Sequence, residues 1–386
     1  MSDTIFIFVT LKNSLKITLH FAISILSLFA ISCNSMSNDH SQLQTNETLV
    51  DKCANFQTVR LFEFLRDSSN KGILFGHQDD LAYGVNWQSE SGRSDIKEVC
   101  GQYPAVFGWD IGGIGQDQNL DGLNFDDIIA WIQKAHRMGG IITISMHLDN
   151  PLTGNNAWDN TPAVDKILPG KSHHTEYLST LRLVADFLGK LKDKQDQYIP
   201  VIFRPYHEHN HTWSWWGKSS CSKDTFIALW KMTIDFLRTD CHLHHLLYTI
   251  SPQDPENIDQ YLNRYPGDNY VDILGLDSYS LWNQHSVSQL AKILSNLSVL
   301  ARDRGKVAAL TEVGIENVTI PDWWTNYLLR ALRSTKYPNN MAWALIWRNE
   351  SKNHHFGPYQ EHSSQKDFLK FFQDPITLFL SDIETF

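Results

Sequence analysis

Short apolar runs alternate with longer amphipathic stretches through most of this chain. The runs are Gly72–Gly76, Ala105–Trp109, Gly140–Met146, Ile199–Phe203, Leu246–Ile250, Val271–Leu276, Val307–Leu310 and Ala342–Trp347. Each is too short for an ordinary helix, and several are rich in Val and Ile. Between them, Asp126–Arg137, Tyr177–Lys192, Ser222–Leu237, Val287–Arg304 and Trp323–Arg333 read as helices. Residues 251–270 give the weakest helical pattern. Eight buried strands with helical crossovers predict a (β/α)8 TIM barrel of the α/β class rather than an open sheet.

The residues that follow the runs are more telling. The first run leads into His77-Gln78-Asp79-Asp80, the second into Asp110, and the third into His147-Leu148-Asp149-Asn150-Pro151. The fourth leads into His207-Glu208, the sixth into Asp277-Ser278-Tyr279, the seventh into Glu312 and the eighth into Arg348-Asn349. In a barrel these positions converge on the C-terminal rim, where such folds place their active sites. Ordinary turns supply Gly, Asn and Asp, but rarely His-Glu, Thr-Glu and Trp-Arg together.

Composition narrows the class. Of 386 residues, 42% are hydrophobic and 20% charged, enough to bury a large core. A net charge of −10 without a basic run argues against a nucleic-acid partner. Neither a GxxxxGK[ST] loop nor a GxGxxG fingerprint occurs. The 13 Trp exceed what the core needs, and those beside polar motifs suit stacking on sugar faces.

Residues 1–33 have the layout of a signal peptide. Lys12 and Lys16 precede the apolar run Ile17 to Ile31, and Ala30-Ile31-Ser32-Cys33 resembles a lipobox. Cys33 is the expected lipidation site, which would anchor an exported protein to a bacterial cell envelope; an ordinary cleaved signal is the alternative. Residues 34–54 are expected to form a flexible tether, and 55–386 a single barrel domain. Cys53, Cys100, Cys221 and Cys241 permit disulfides whose pairing the sequence leaves open.

Glu208 and Glu312 are the candidate chemistry. Cleavage of a glycosidic bond with retention needs a protonated carboxyl as acid and a second carboxylate as nucleophile, about 5 Å apart. Strands four and seven can bring these two together across the barrel mouth. Arg204 and His207 are placed to orient or charge-tune them, and Trp347 and Arg348 to hold a sugar. His77 and Asp110 are supporting candidates. The spacing His207-x-His209-x-His211 leaves zinc as a rival, because alternate residues of a strand share a face. Here the segment turns from strand to loop, and no metal or other cofactor is expected. His173-His174, His242-x-His244-His245 and His354-His355 are expected in surface or loop positions, the last pair bordering the cleft.

Several ordered motifs together resemble glycoside hydrolase family 26. They are Gly76-His77-Gln78-Asp79-Asp80 with Tyr83-Gly84 and Trp87, and Arg204-Pro205-Tyr206-His207-Glu208 with Asn210, Trp213 and Trp215-Trp216-Gly217. Thr311-Glu312 with Gly314, and Trp347-Arg348, complete them. The resemblance runs from about residue 55 to the C-terminus and implies a retaining (β/α)8 β-mannanase. It assigns Glu208 as acid/base and Glu312 as nucleophile. It places His147, His207, Trp213, Tyr279, Trp347 and Arg348 against the sugar, with Tyr279 hydrogen-bonded to the nucleophile. The implied substrate is a mannan or manno-oligosaccharide, cut by a monomer whose contact with a membrane is limited to a lipid anchor. Alternatives are a mixed-linkage β-glucanase, a β-1,3-xylanase, or a non-catalytic glycan-binding lipoprotein. His211 stands where the family commonly has Gly, and Ser214 where it has Phe. Both bear on the leaving-group side of the cleft rather than on the carboxylates.

Overall fold

The computed structural model describes residues 48–383. Eight parallel strands lie at the eight predicted runs: β1 (Ile73–Gln78), β2 (Val106–Asp110), β3 (Ile141–Met146), β4 (Val201–Pro205), β5 (Leu246–Ile250), β6 (Ile273–Ser278), β7 (Val307–Val313) and β8 (Met341–Ile346). Neighbours pair in sequence order, and β8 returns to β1 through Leu74↔Trp343 to His77↔Ile346, so the barrel closes. Every residue of these strands is buried. Side chains fill the interior on one face and helices cover the other, which is why the strands read as apolar runs rather than as alternation.

The main helices are Phe56–Ser68, Phe125–Arg137, His174–Gly189, Lys223–Asp235 and Gln284–Asp303. Side-chain caps fix several of their starts. Asn124 accepts from the Asp126 N–H, Ser222 from that of Thr225, and Asn283 pairs reciprocally with Ser286. The stretch predicted as a helix over Trp323–Arg333 is wound as a π-turn, Trp324–Leu329, before a short α-turn. After β5 only Ile258–Leu262 and a 3-10 turn at Asp268–Tyr270 form. Pro252, Pro255 and a left-handed Asp254 (φ 43°) interrupt longer helix there.

The expected tether ends earlier than residue 54. Leu49, Val50 and Asp51 are buried beneath the barrel. The Val50 N–H donates to Asp272 Oδ1 at 2.7 Å, Arg238 donates to the Val50 carbonyl, and His244 pairs with Asp51 at 2.8 Å. Polar residues made this segment look solvated, yet buried partners satisfy its backbone. His245 and His355 depart from expectation in the same sense: each is at most 2% exposed. His245 stacks on Tyr198 and His355 packs between Tyr359 and His362. Cys100, Cys221 and Cys241 are free thiols.

Candidate active site

Glu208 lies just past the end of β4, where the chain leaves the barrel through left-handed backbone at Tyr206 (φ 48°) and at Glu208 itself (φ 53°). Bulky residues adopt this conformation at a cost of roughly 1–3 kcal/mol, and it turns the Glu208 side chain back over the mouth. Its backbone N–H is held by the Ser251 carbonyl at 2.8 Å. The Trp213 indole donates to Oε2 at 2.9 Å. Burial pushes the Glu208 carboxyl well above its ordinary range, and the negative charges of Glu312 and Asp277 push it further. Arg204 and the Trp213 bond pull the other way without overcoming this. The balance favours the protonated carboxyl, the form a general acid needs.

Glu312 sits in β7 opposite Asp277 of β6. Both its oxygens are acceptors: Arg204 donates to Oε1, and the Tyr279 hydroxyl donates to Oε2 at 2.6 Å. Arg204 also binds Asp277 at 2.9 Å and Ser251 at 3.0 Å, so one buried guanidinium ties β4, β5, β6 and β7 together. Thr311 donates to the other oxygen of Asp277 at 2.6 Å. Burial pushes the Asp277 carboxyl up to about 7, against the pull of Arg204. Tyr279 is pushed well above its ordinary value by burial and by the Glu312 charge, so it stays a donor.

A second group lies on the β2–β3 side. Asp110, 1% exposed, accepts from His147 Nδ1 at 2.7 Å, Ser145 Oγ at 2.5 Å and the Gly112 N–H at 2.6 Å. Burial alone would raise Asp110, but His147 and these donors lower it to about 2. Burial opposes charging His147, yet Asp110 raises it on balance. The His147 ring stands edge-on to His207 at 4.3 Å and faces the half-exposed Trp158 at 5.3 Å. Burial first, and then Arg204, push His207 well below the usual imidazole value. The two neighbouring rings are thus biased in opposite senses, His207 towards its neutral form and His147 towards its charged form.

The structure thus brings Glu208, Glu312, Arg204, His207, His147, Trp213, Tyr279 and Asp110 into one connected set. Trp347 joins it through His147 at 6.3 Å between ring centres. Arg348 is turned towards Tyr83 and Asp121 and donates to both. His77 is buried one step further back and bonds Asp80 at 2.8 Å. It supports the loop after β1 rather than the mouth. The three histidines at alternating positions point to different neighbours: His207 to His147, His209 to Phe226, and His211 to Trp213. Among the described residues no group of three His, Cys, Asp or Glu side chains is placed to share a metal ion.

Sequence reasoning missed three contributors. Asp121 and Tyr83 hold Arg348, and Asp254 binds the segment around Tyr279. Tyr83 stood inside a noted motif without a role, and nothing in the local pattern marks Asp254.

A carboxyl biased towards its protonated form and a second, doubly hydrogen-bonded carboxylate at the mouth of such a barrel are the pair that glycoside hydrolases use. The model of glycosyl hydrolase family 26 matches residues 50–377, and the chain belongs to that family. It is 35% identical over 314 residues to a mannan endo-1,4-beta-mannosidase of Bifidobacterium adolescentis, covering 76% of this chain and 30% of that protein. Against the Bacillus subtilis (strain 168) protein of the same name it is 30% identical over 305 residues, 74% of this chain and 77% of that one. Among solved structures, a GH26 beta-mannanase from Bacteroides ovatus superposes with a TM-score of 0.82 at 40% identity. That match covers 85% of this chain and 96% of the other. A modular endo-beta-1,4-mannanase from Cellulomonas fimi gives 0.82 at 32%, over 88% and 78%.

Proposed function

We propose that the protein is a retaining β-1,4-mannanase that cuts mannan or manno-oligosaccharides by double displacement. The observation that carries this reading is the asymmetry of the two carboxyls. Glu208 is driven towards its protonated form, while both oxygens of Glu312 accept hydrogen bonds, from Arg204 and Tyr279. The names of the relatives supply the substrate class.

In the first step a Glu312 oxygen attacks the anomeric carbon, and the Glu208 proton passes to the departing glycosidic oxygen. Glu208 is then a carboxylate. In the second step it takes a proton from water, whose oxygen displaces Glu312 and regenerates both groups. Arg204 and Tyr279 fix the direction of attack, and His207 and His147 flank the sugar. Trp347 and Arg348 extend the site to neighbouring sugar units.

Glu312→Ala should abolish mannan cleavage while the protein stays folded; near-normal turnover would sink the assignment. Glu208→Ala should keep the first step on a substrate with a good leaving group and stall at the second. Product release from mannan, lichenan and xylan separates a mannanase from another β-glycanase. The reading includes a monomeric protein held to the cell envelope by lipid on Cys33, which lies outside the described residues. Labelling with a radioactive fatty acid, lost in Cys33→Ala, tests that anchor.

A further inference from the structure

Past the end of β5 an isolated bridge ties the following loop to β6. Gln253 bridges to Asp277, the Asp277 N–H donates to the Pro252 carbonyl at 3.1 Å, and the Asp254 N–H donates back to the Asp277 carbonyl at 2.9 Å. This pair, Gln253 and Asp254, touches neither carboxylate of the site. It binds the loop that carries Glu208 and the segment that carries Tyr279, the donor to Glu312.

On one side it holds the loop of Glu208. Asn210, two residues beyond Glu208, makes a reciprocal pair with the Gln253 backbone: its Nδ2 donates to the Gln253 carbonyl at 2.7 Å, and its Oδ1 accepts the Gln253 N–H at 2.9 Å. His211 Nε2 donates to the same carbonyl at 3.2 Å. The His211 ring then lies against Trp213, 4.0 Å between centres and 18° from parallel, and Trp213 is the donor to Glu208. On the other side Asp254 holds the segment of Tyr279. Its Oδ1 accepts from Ser278 Oγ at 2.6 Å; its Oδ2 accepts from Ser280 Oγ at 2.6 Å and, more weakly, from the Tyr279 N–H at 3.4 Å. Tyr279 is thus gripped by its two neighbours while its hydroxyl reaches Glu312. Asp254 adopts left-handed backbone (φ 43°), which short polar side chains tolerate better than others.

We infer that Asp254 is a positioning residue for the nucleophile: it sets where the Tyr279 hydroxyl sits and so aims Glu312. Through Gln253 the same dipeptide holds the loop of the acid, so one short segment bears on both sides of the pair. This rests on the roles assigned above to Glu208 and Glu312. Removing the Asp254 carboxylate releases Ser278 and Ser280 and leaves Tyr279 free to drift from Oε2. Attack at the anomeric carbon suffers, while groups that bind more distant sugars are untouched.

The experiment is a double-mutant cycle of Asp254→Ala and Tyr279→Phe, with kcat and KM measured on mannotetraose and thermal midpoints measured in parallel. Asp254→Ala should lower kcat by about tenfold or more and move KM by less than about threefold, as expected when a group acting only in the transition state is misplaced. In a Tyr279→Phe background the same change should cost less than about threefold, because the group it positions is gone. A full, additive loss in both backgrounds overturns the proposal, and so does a kcat within about twofold of the parent. If Asp254→Ala fails to fold, Asp254→Asn replaces it in the cycle under the same two criteria; it keeps one acceptor for Ser278 and loses the charge. Glu312→Ala is the control. If that variant keeps its activity, the assigned roles fall; if it is inactive while the cycle is additive, only the role of Asp254 falls.

Discussion

The Trp213 indole N–H donates to Glu208 Oε2 at 2.9 Å, so the ring that flanks the acid also favours its ionised form. Burial, and after it the charges of Glu312 and Asp277, outweigh that bond and raise the carboxyl. The acid works only while protonated, so activity falls as pH rises through its pKa. Trp213→Phe removes a donor to the charged form and should move the alkaline limb of kcat/KM upwards. A hydrogen bond to a charged group is worth about 1.5 kcal/mol or more, which corresponds to roughly one pH unit. A pH profile of both proteins checks this; an unmoved or lowered limb would contradict it.

Glu312 is the largest charge that raises Glu208, second only to burial. Glu312→Gln keeps the shape and removes that charge. Glu208 should then titrate lower than in the parent, although still above the ordinary carboxylate range because its burial is unchanged. Carbon-13 NMR of labelled glutamate side chains reads this in a protein that no longer turns over. The same titration in both proteins would mean that the two carboxyls do not feel each other.

The barrel and both carboxyls were legible for one physical reason. Parallel strands buried on both faces are apolar throughout, so each run marked a strand and the residues after it marked the rim. Glu208 and Glu312 each follow or close such a run. What the sequence hid was held by long-range polar contacts. Arg348 read as a sugar ligand, but its guanidinium is shared with Tyr83 and Asp121, 265 and 227 positions away. Asp254 sits in the segment with the least periodicity. The burial of Leu49 and Val50 depends on Asp272, a carboxylate 222 residues beyond Val50. Local pattern reports which face of an element is buried, not which polar groups will meet across the mouth.

Asp110 and His147 link the site to stability. The Asp110 carboxyl is lowered to about 2, against about 3.9 for an unfolded aspartate. A depressed pKa contributes stability that is present above the unfolded value and lost as pH falls through the folded one, here between about pH 4 and 2. Asp110→Asn should therefore cost on the order of 2–3 kcal/mol near neutral pH, with the difference from the parent shrinking as pH approaches 2. His147 works in the opposite sense: its raised pKa adds stability below about pH 6.5 that is lost as pH rises through the folded value. Denaturant unfolding at several pH values measures both. A cost from Asp110→Asn that stays constant down to pH 2 would show that packing, rather than charge, is the source.

Arg348 offers a test of binding separate from chemistry. Its guanidinium donates to Tyr83 and to Asp121, which lies in the loop after β2, and it remains partly exposed towards the cleft. Burial, and after it the Asp121 charge, raise the fully buried Asp79 carboxyl well above its ordinary value, against the pull of Tyr83 and Arg348. Both bonds leave one guanidinium nitrogen, which the planar Arg348 group holds in place and a flexible lysine ammonium does not, so Arg348→Lys should loosen Asp121 and Tyr83 as well as any sugar hydroxyl held there. Loss of one or two charge-assisted bonds corresponds to about 1.5–3 kcal/mol, or roughly a 10- to 100-fold fall in kcat/KM. Because the corner lies away from Glu208 and Glu312, the fall should come through KM on mannotriose and longer substrates, with kcat largely kept. If kcat fell instead and KM stayed, Arg348 would be acting on the carboxylates rather than on the sugar.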